Sequence, residues 1–417
     1  MKTLKASLAA LLLCAGAGAC AQIAGIEDRN FVEQQVNATD AACEEYCKII
    51  EDKDPEDDKP DDGVCPNNYT TYDVCIGVCG KFEPGDPSEP TNENTVACRL
   101  NAARAARSAS EGEVDSFCQA AGPGGNGACG SNCESYCRLV EMEGVCGERN
   151  VKVPNCVEKC EAFGDSNRFH VGTPTQEFDH SGDTVQCRLV HVSTAAGSLA
   201  TDALKDTHCA HADFHSTQWC IADEPSCSRY CDVLEVACRG DNEVYENRDQ
   251  CLGACAELEL GEPLDDIEDT IGCRTWHAVS SLSDPNNHCS HAGPTGDGHC
   301  GLDDPPVDPT EFAACRPYCR LIEAACPTEF ASTFGNNGAC VSQCDDAGES
   351  FGADADQDYT VKSVIEAEDG DTLSCRTLHA VRALGAMRAL DDDATEDERA
   401  EAAAEFCPAV FGAAPCD

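Results

Sequence analysis

The sequence predicts a mainly α-helical, disulfide-rich protein built from four small tandem modules. Three observations lead to this fold class. The chain has 34 cysteines among its 417 residues, a density typical of disulfide scaffolds in exported proteins. The cysteines recur in one register of eight. Within that register, pairs of cysteines stand four residues apart, which places them on one face of a helix.

The repeated register consists of four sets of eight cysteines. In every set the first and second cysteines form C-x-x-x-C, as do the fourth and fifth, and a tyrosine precedes the second. The sixth cysteine always lies in the pattern Asn/Asp-Thr-Val/Ile/Leu-x-Cys-Arg. A shared register of this kind indicates repeats of one unit. The sets are Cys43, Cys47, Cys65, Cys75, Cys79, Cys98, Cys118 and Cys129; Cys133, Cys137, Cys146, Cys156, Cys160, Cys187, Cys209 and Cys220; Cys227, Cys231, Cys238, Cys251, Cys255, Cys273, Cys289 and Cys300; and Cys315, Cys319, Cys326, Cys340, Cys344, Cys375, Cys407 and Cys416.

Three helices are predicted in each module. The first carries an apolar stripe at helical spacing, for example Cys227, Cys231, Leu234 and Cys238. The second contains the other C-x-x-x-C motif. The third begins at the Asn/Asp-Thr pair, where either side chain could cap the helix. Strand signals are short and scattered.

The N-terminus is predicted to be an export signal. Lys2 and Lys5 precede an apolar run that is too short to cross a membrane. Small residues then lead to Cys20, as in a lipobox, although Ala17 departs from the usual leucine. Lipidation of Cys20 also leaves an even number of cysteines for pairing, because Cys14 is removed with the signal. The competing interpretation is an ordinary cleavage site and a secreted protein.

These observations divide the chain into six segments. We expect a signal peptide with a lipobox-like end at residues 1–20 and a tether at 21–40. The four modules are expected at residues 41–130, 131–221, 222–302 and 303–417.

Two resemblances follow from these motifs. Paired C-x-x-x-C helices resemble helical hairpins with twin CX3C motifs, in which two disulfides join antiparallel helices. The signal, the Cys20 box, the Ala24-Gly25-Ile26-Glu27 stretch and the eight-cysteine repeats resemble the predicted cysteine-rich lipoproteins of myxobacteria, a group that implies no particular function.

The spacing also predicts which cysteines pair in each hairpin. Neither C-x-x-x-C motif can close on itself, because the side chains point the same way. The segments between the two motifs are short in modules 2 to 4, which favours an antiparallel pair. The first cysteine should then pair with the fifth, and the second with the fourth. The predicted pairs are Cys43–Cys79, Cys47–Cys75, Cys133–Cys160, Cys137–Cys156, Cys227–Cys255, Cys231–Cys251, Cys315–Cys344 and Cys319–Cys340. The order of the other four cysteines stays open.

Composition and motifs exclude several functions. The net charge of −49 makes nucleic acid a poor partner, whereas it could attract cations or basic proteins. The sequence contains no C-x-x-C, no H-E-x-x-H and no phosphate-binding G-x-x-x-x-G-K-[S/T]. We therefore expect no cofactor and no enzymatic activity.

Histidines are the remaining candidates for chemistry. They follow the sixth cysteine by four residues and surround the seventh as H-C-x-H, at His191, His208 and His211 in module 2 and at His277, His288 and His291 in module 3. The favoured interpretation is that the first of each set packs on a helix and the others decorate a loop, because module 1 has Ala102 and module 4 keeps only His379. The alternative is a site for Zn²⁺ or Cu²⁺.

The sequence thus predicts a non-catalytic cell-envelope lipoprotein that presents a rigid acidic array of modules for binding or structure, with its ligand unidentified. Its lipid anchor would hold it at the outer membrane or cell surface; a secreted or periplasmic protein is the alternative. Two other functions remain open: an envelope metal-binding protein that uses the histidines of modules 2 and 3, and a secreted enzyme with an unrecognised site.

Overall fold

The computed structural model describes residues 40–51, 63–163, 182–301, 314–346 and 372–416, apart from residues 67, 87, 89–91, 111, 151, 217 and 392. The predicted signal peptide, Cys20 and all but the last residue of the tether lie outside the described residues. None of the described helices is both long and apolar enough to cross a membrane.

Helices make up most of the described chain, which confirms the predicted fold class. Within the described ranges there is no strand, only two isolated bridges, Glu83–Thr95 and Glu259–Thr270. The helices are α1 (40–51), α2 (Tyr72–Cys79), α3 (Val96–Ser108), α4 (Val114–Ala121), α5 (Asn132–Val140), α6 (Cys156–Cys160), α7 (Val185–Ala196), α8 (Asp202–Ala212), α9 (Cys227–Ala237), α10 (Arg248–Ala256), α11 (Ile271–Ser280), α12 (Pro285–Ala292), α13 (Cys315–Ala325), α14 (Pro327–Thr333), α15 (Asn337–Asp346), α16 (Leu373–Arg388), α17 (Glu396–Ala403) and α18 (Cys407–Val410).

Disulfides join the two C-x-x-x-C helices in a crossed order. In the third set, Cys227 bonds to Cys255 and Cys231 to Cys251, with sulfur–sulfur distances of 2.01 and 1.94 Å. The same order joins Cys43–Cys79, Cys47–Cys75, Cys137–Cys156, Cys315–Cys344 and Cys319–Cys340. Cys133 and Cys160 are disulfide-bonded as well. So many disulfides indicate that the chain folds in an oxidising, exported environment.

The other four cysteines of each set form two further disulfides. The third cysteine pairs with the seventh: Cys65–Cys118, Cys146–Cys209, Cys238–Cys289 and Cys326–Cys407. The sixth pairs with the eighth: Cys98–Cys129, Cys187–Cys220, Cys273–Cys300 and Cys375–Cys416. The first of these disulfides holds the seventh cysteine against the helical hairpin, and the second attaches the end of each set to its third helix.

The tyrosine beside each second cysteine is fully buried. Its hydroxyl donates to a backbone carbonyl at or near the end of the helix that carries the seventh cysteine, as in Tyr136 to Ala212 at 2.8 Å. Tyr46, Tyr230 and Tyr318 make the corresponding bonds to Ala121, Ala292 and Val410. A buried hydroxyl needs such an acceptor, so this repeated bond sets how the hairpin docks on the rest of each set.

The threonine before the sixth cysteine caps the third helix. Thr270 Oγ1 accepts from the backbone N–H of Cys273 at 3.1 Å, and Thr95, Thr184 and Thr372 do the same in the other sets. The neighbouring aspartate is not the cap; in the third set, Asp269 pairs instead with buried Arg274 at 2.9 Å.

The chain divides into two compact units. The described part of the first covers residues up to Ser135 together with Ser193–Thr201, and the second contains the other described residues. Within the second unit, α10 packs tightly on α16. The approach is so close at Gly253 that an added Cβ would lie 2.7 Å from the carbonyl oxygen of Leu384. The division into four modules at the predicted boundaries stays a prediction.

Candidate metal centre

Two disulfides bring the histidines of module 3 together. His277 lies on α11, one turn beyond Cys273, and is 3 % exposed. His288 and His291 lie on α12, which the Cys238–Cys289 disulfide ties to the hairpin. The Cys273–Cys300 disulfide then returns the chain to α11 and carries His299 with it. The result is a four-histidine cluster: His277, His288, His291 and His299.

Nitrogen atoms within this cluster face one another. The ligand atoms of His277, His291 and His299 all lie within 4.8 Å of one another. His277 Nδ1 is 3.0 Å from His288 Nδ1, and the ring centroids of His291 and His299 are 3.8 Å apart. His291 Nδ1 is buried and has no hydrogen-bond partner, and such an atom is a natural ligand position.

Module 2 contains the same arrangement with three histidines. The ligand atoms of His191, His208 and His211 lie within 4.8 Å of one another, and the Nδ1 atoms of the first two are 2.9 Å apart. His211 is 8 % exposed, and its Nδ1 atom lacks a hydrogen-bond partner. Trp219 precedes the eighth cysteine, where module 3 has His299, and its ring packs 5.7 Å from that of His211.

Burial lowers the pKa of four of these histidines and so favours their neutral imidazole, which is the form that binds metals. Burial, with a smaller contribution from His291, lowers the pKa of His277 to about 3. Burial and then His299 lower the pKa of His291 to about 4. Burial also lowers the pKa values of His211 and His288.

Cysteine sulfurs also lie beside these histidines but cannot serve as thiolates. Groups such as Cys273, His277 and Cys300 have ligand atoms within 4.8 Å of one another. Both sulfurs of such a group are bonded to each other, so only the imidazole remains as a donor. In module 4, the corresponding group consists of His379 and the two cysteines of the Cys375–Cys416 disulfide.

The structure brings together all six histidines singled out from the sequence, three in each module. The predicted H-C-x-H loop was wrong: these residues lie on α8 and α12. Pro285 at the first turn of α12 fits a helix start, and the spacing of H-C-x-H puts both imidazoles on the side of the helix that faces His277. His299 was not predicted from the sequence, because its position beside Cys300 becomes informative only once the partner of that cysteine is known.

One family model matches the region that contains the module 3 histidines. Residues 214–304 match the BfoA family C-terminal domain, and they contain the whole four-histidine cluster. Two curated relatives are the aurasperone B biosynthesis cluster protein A of Aspergillus niger, 35% identical over 71 residues, and the bifonsecin B biosynthesis cluster protein A of Aspergillus brasiliensis, 33% identical over 71 residues. The matches cover 17% of this chain and 23% and 24% of those proteins.

A third similar protein is a putative EGF-like domain-containing protein of Acanthamoeba polyphaga mimivirus, 29% identical over 106 residues, which are 23% of this chain and 17% of that protein. The chain thus spans less than a quarter of the length of these relatives. No solved structure matches the chain significantly. The comparisons therefore describe a cysteine-rich segment shared with fungal biosynthesis cluster proteins.

Proposed function

We propose that the protein is an exported, disulfide-stapled metal-binding protein that holds Zn²⁺ or Cu²⁺ at the histidine clusters of modules 2 and 3. One observation carries the proposal: in both modules, three imidazole ligand atoms lie within 4.8 Å of one another. Zn–N bonds of about 2.0–2.1 Å place ligand nitrogens about 3–4 Å apart, so small side-chain rotations would complete each site.

The chemistry of the ligands supports borderline transition metals. Neutral imidazole suits Zn²⁺, Cu²⁺ and Ni²⁺ better than Ca²⁺ or Mg²⁺, which prefer oxygen. The buried Nδ1 atoms of His211 and His291, which lack hydrogen-bond partners, would each gain one by binding an ion. The net charge of −49 favours the approach of cations.

Metal titration of the intact protein tests this proposal. We expect calorimetry with ZnCl₂ or CuCl₂ to show two saturable sites. His277→Ala should weaken the site in module 3 by at least about 100-fold, since even groups that only orient a ligand contribute 10–100-fold. His211→Ala should weaken only the site in module 2.

The matched control is His379→Ala, which removes an imidazole at the same helix position in module 4 and should leave both sites intact. If the variant lacking both His211 and His277 binds metal as the natural protein does, the acidic surface binds the ions and the proposal is wrong.

We further propose that the protein acts without catalysis, as a rigid acidic array held at the cell envelope by a lipid on Cys20. The support is the N-terminal sequence and its resemblance to predicted myxobacterial lipoproteins. A clickable fatty acid should label the protein in producing cells, and Cys20→Ser should abolish the label. A protein that stays unlabelled and is released into the medium would instead be secreted.

A further inference from the structure

We propose that a cleft between residues of modules 2 and 3 binds a small aromatic anion, such as an aryl carboxylate or phenolate. The cleft has a volume of about 60 Å³ and opens to solvent, so it would hold part of such a ligand and leave the rest exposed. Its lining is mostly apolar and includes Phe214, Ile221, Leu264, Trp276 and Val279. The proposal is independent of the metal sites.

A buried charge cluster forms one side of this cleft. Asp183 pairs with Arg188 at 2.8 Å and with Arg229 Nε, and all three residues line the cleft. Two guanidinium groups therefore share one carboxylate, which leaves a net positive charge. Asp232, which also acts electrostatically on Arg229, pairs with Arg248 at 2.7 Å. The chain has a net charge of −49. An anion should therefore bind at this buried positive site more favourably than anywhere on the surrounding acidic surface.

Arg229 also has an unused hydrogen-bond donor. It is 9 % exposed, and its Nη1 donates to the carbonyl of Ala162 at 2.7 Å, but its Nη2 atom has no partner. Arg188, by contrast, uses its guanidinium nitrogens on backbone carbonyls of Thr184, Asp213 and Phe214. A buried donor without an acceptor is costly, and the oxyanion of a ligand would supply that acceptor.

The ring of the ligand is indicated by the apolar lining. Thr275 Oγ1, which is buried and has no hydrogen-bond partner, offers a second polar contact beside Trp276. An aromatic ring between Phe214 and Trp276 gains stacking energy in addition to apolar burial. Planar shape, an apolar face and one negative group together define the class of ligand.

Benzoate is the probe for a calorimetric and fluorescence test. The chain has two tryptophans, so a Trp219→Phe background leaves Trp276 as the only one. With a chelator present to exclude metal effects, we expect saturable binding of benzoate and a change in Trp276 emission. Benzyl alcohol, which lacks the charge, should bind at least about tenfold more weakly. Cyclohexanecarboxylate, which lacks the aromatic ring, should bind about threefold to tenfold more weakly.

Two sets of variants locate the site. Arg229→Met should weaken benzoate binding at least about tenfold. Leu264 is 40 % exposed, so substitutions there leave the buried core intact. Leu264→Asp should weaken benzoate binding by repelling the anion, whereas Leu264→Asn should not. Leu260→Asp is the control, because Leu260 is 48 % exposed and outside the lining. Absence of saturable binding, equal affinity for benzyl alcohol, or equal effects of Leu260→Asp and Leu264→Asp would overturn the proposal.

Discussion

Replacing Arg274 by methionine should destabilise module 3 by about 3–5 kcal/mol, the usual cost of breaking a buried ion pair. The side chain is fully buried and pairs with Asp269 at 2.9 Å. Its guanidinium also donates to backbone carbonyls of Thr270, Gly293 and Pro294 at 3.1–3.2 Å. Methionine fills similar space but removes the closest ion-pair partner of a buried carboxylate, which keeps Arg320 at 3.8 Å, and it leaves several carbonyls without their donor.

Denaturant unfolding followed by Trp276 emission, in the Trp219→Phe background, measures this effect within module 3. The matched control is Arg239→Met in the same module. Arg239 forms an exposed ion pair with Glu158, so its loss should cost less than about 1 kcal/mol. Equal shifts for the two variants would show that the buried cluster does not organise the fold.

Removing the Cys273–Cys300 disulfide by two serine substitutions should cost about 3–4 kcal/mol, as loop entropy predicts for a short closed loop. Its cysteines are 27 residues apart, whereas Cys326 and Cys407 are 81 apart. Removing the longer loop should therefore cost more, about 4–5 kcal/mol. Unfolding of each variant by denaturant measures both values.

The variant that lacks the Cys273–Cys300 disulfide also tests metal binding in module 3. Without the Cys273–Cys300 disulfide, nothing covalent holds His299 near His277, so metal affinity in module 3 should fall. The matched control removes Cys98–Cys129 in module 1, whose loop spans 31 residues and whose third helix carries Ala102 in place of a histidine. That change should lower stability but leave metal binding unchanged. If removing Cys273–Cys300 costs more stability than removing Cys326–Cys407, loop entropy does not set these two costs.

Local patterns in the sequence determined the helical hairpins. Cysteines four residues apart share a helix face and cannot bond to each other, so each motif needs a partner of equal spacing. The short connection between Cys231 and Cys251 leaves an antiparallel pair as the simple solution. Helix starts are local in the same way, because Thr270 caps its helix through a backbone N–H only three residues away.

Only the tertiary structure decided how these elements combine. The third cysteine pairs with the seventh and the sixth with the eighth because of the way the third helix lies on the hairpin. The spacing of the cysteines in the sequence does not determine this pairing. His299 joins His277 because Cys300 bonds to Cys273. Arg229 reaches Asp183 across 46 residues of sequence. Such contacts depend on the packing of distant helices, whereas caps and paired motifs depend on neighbours within a turn or two.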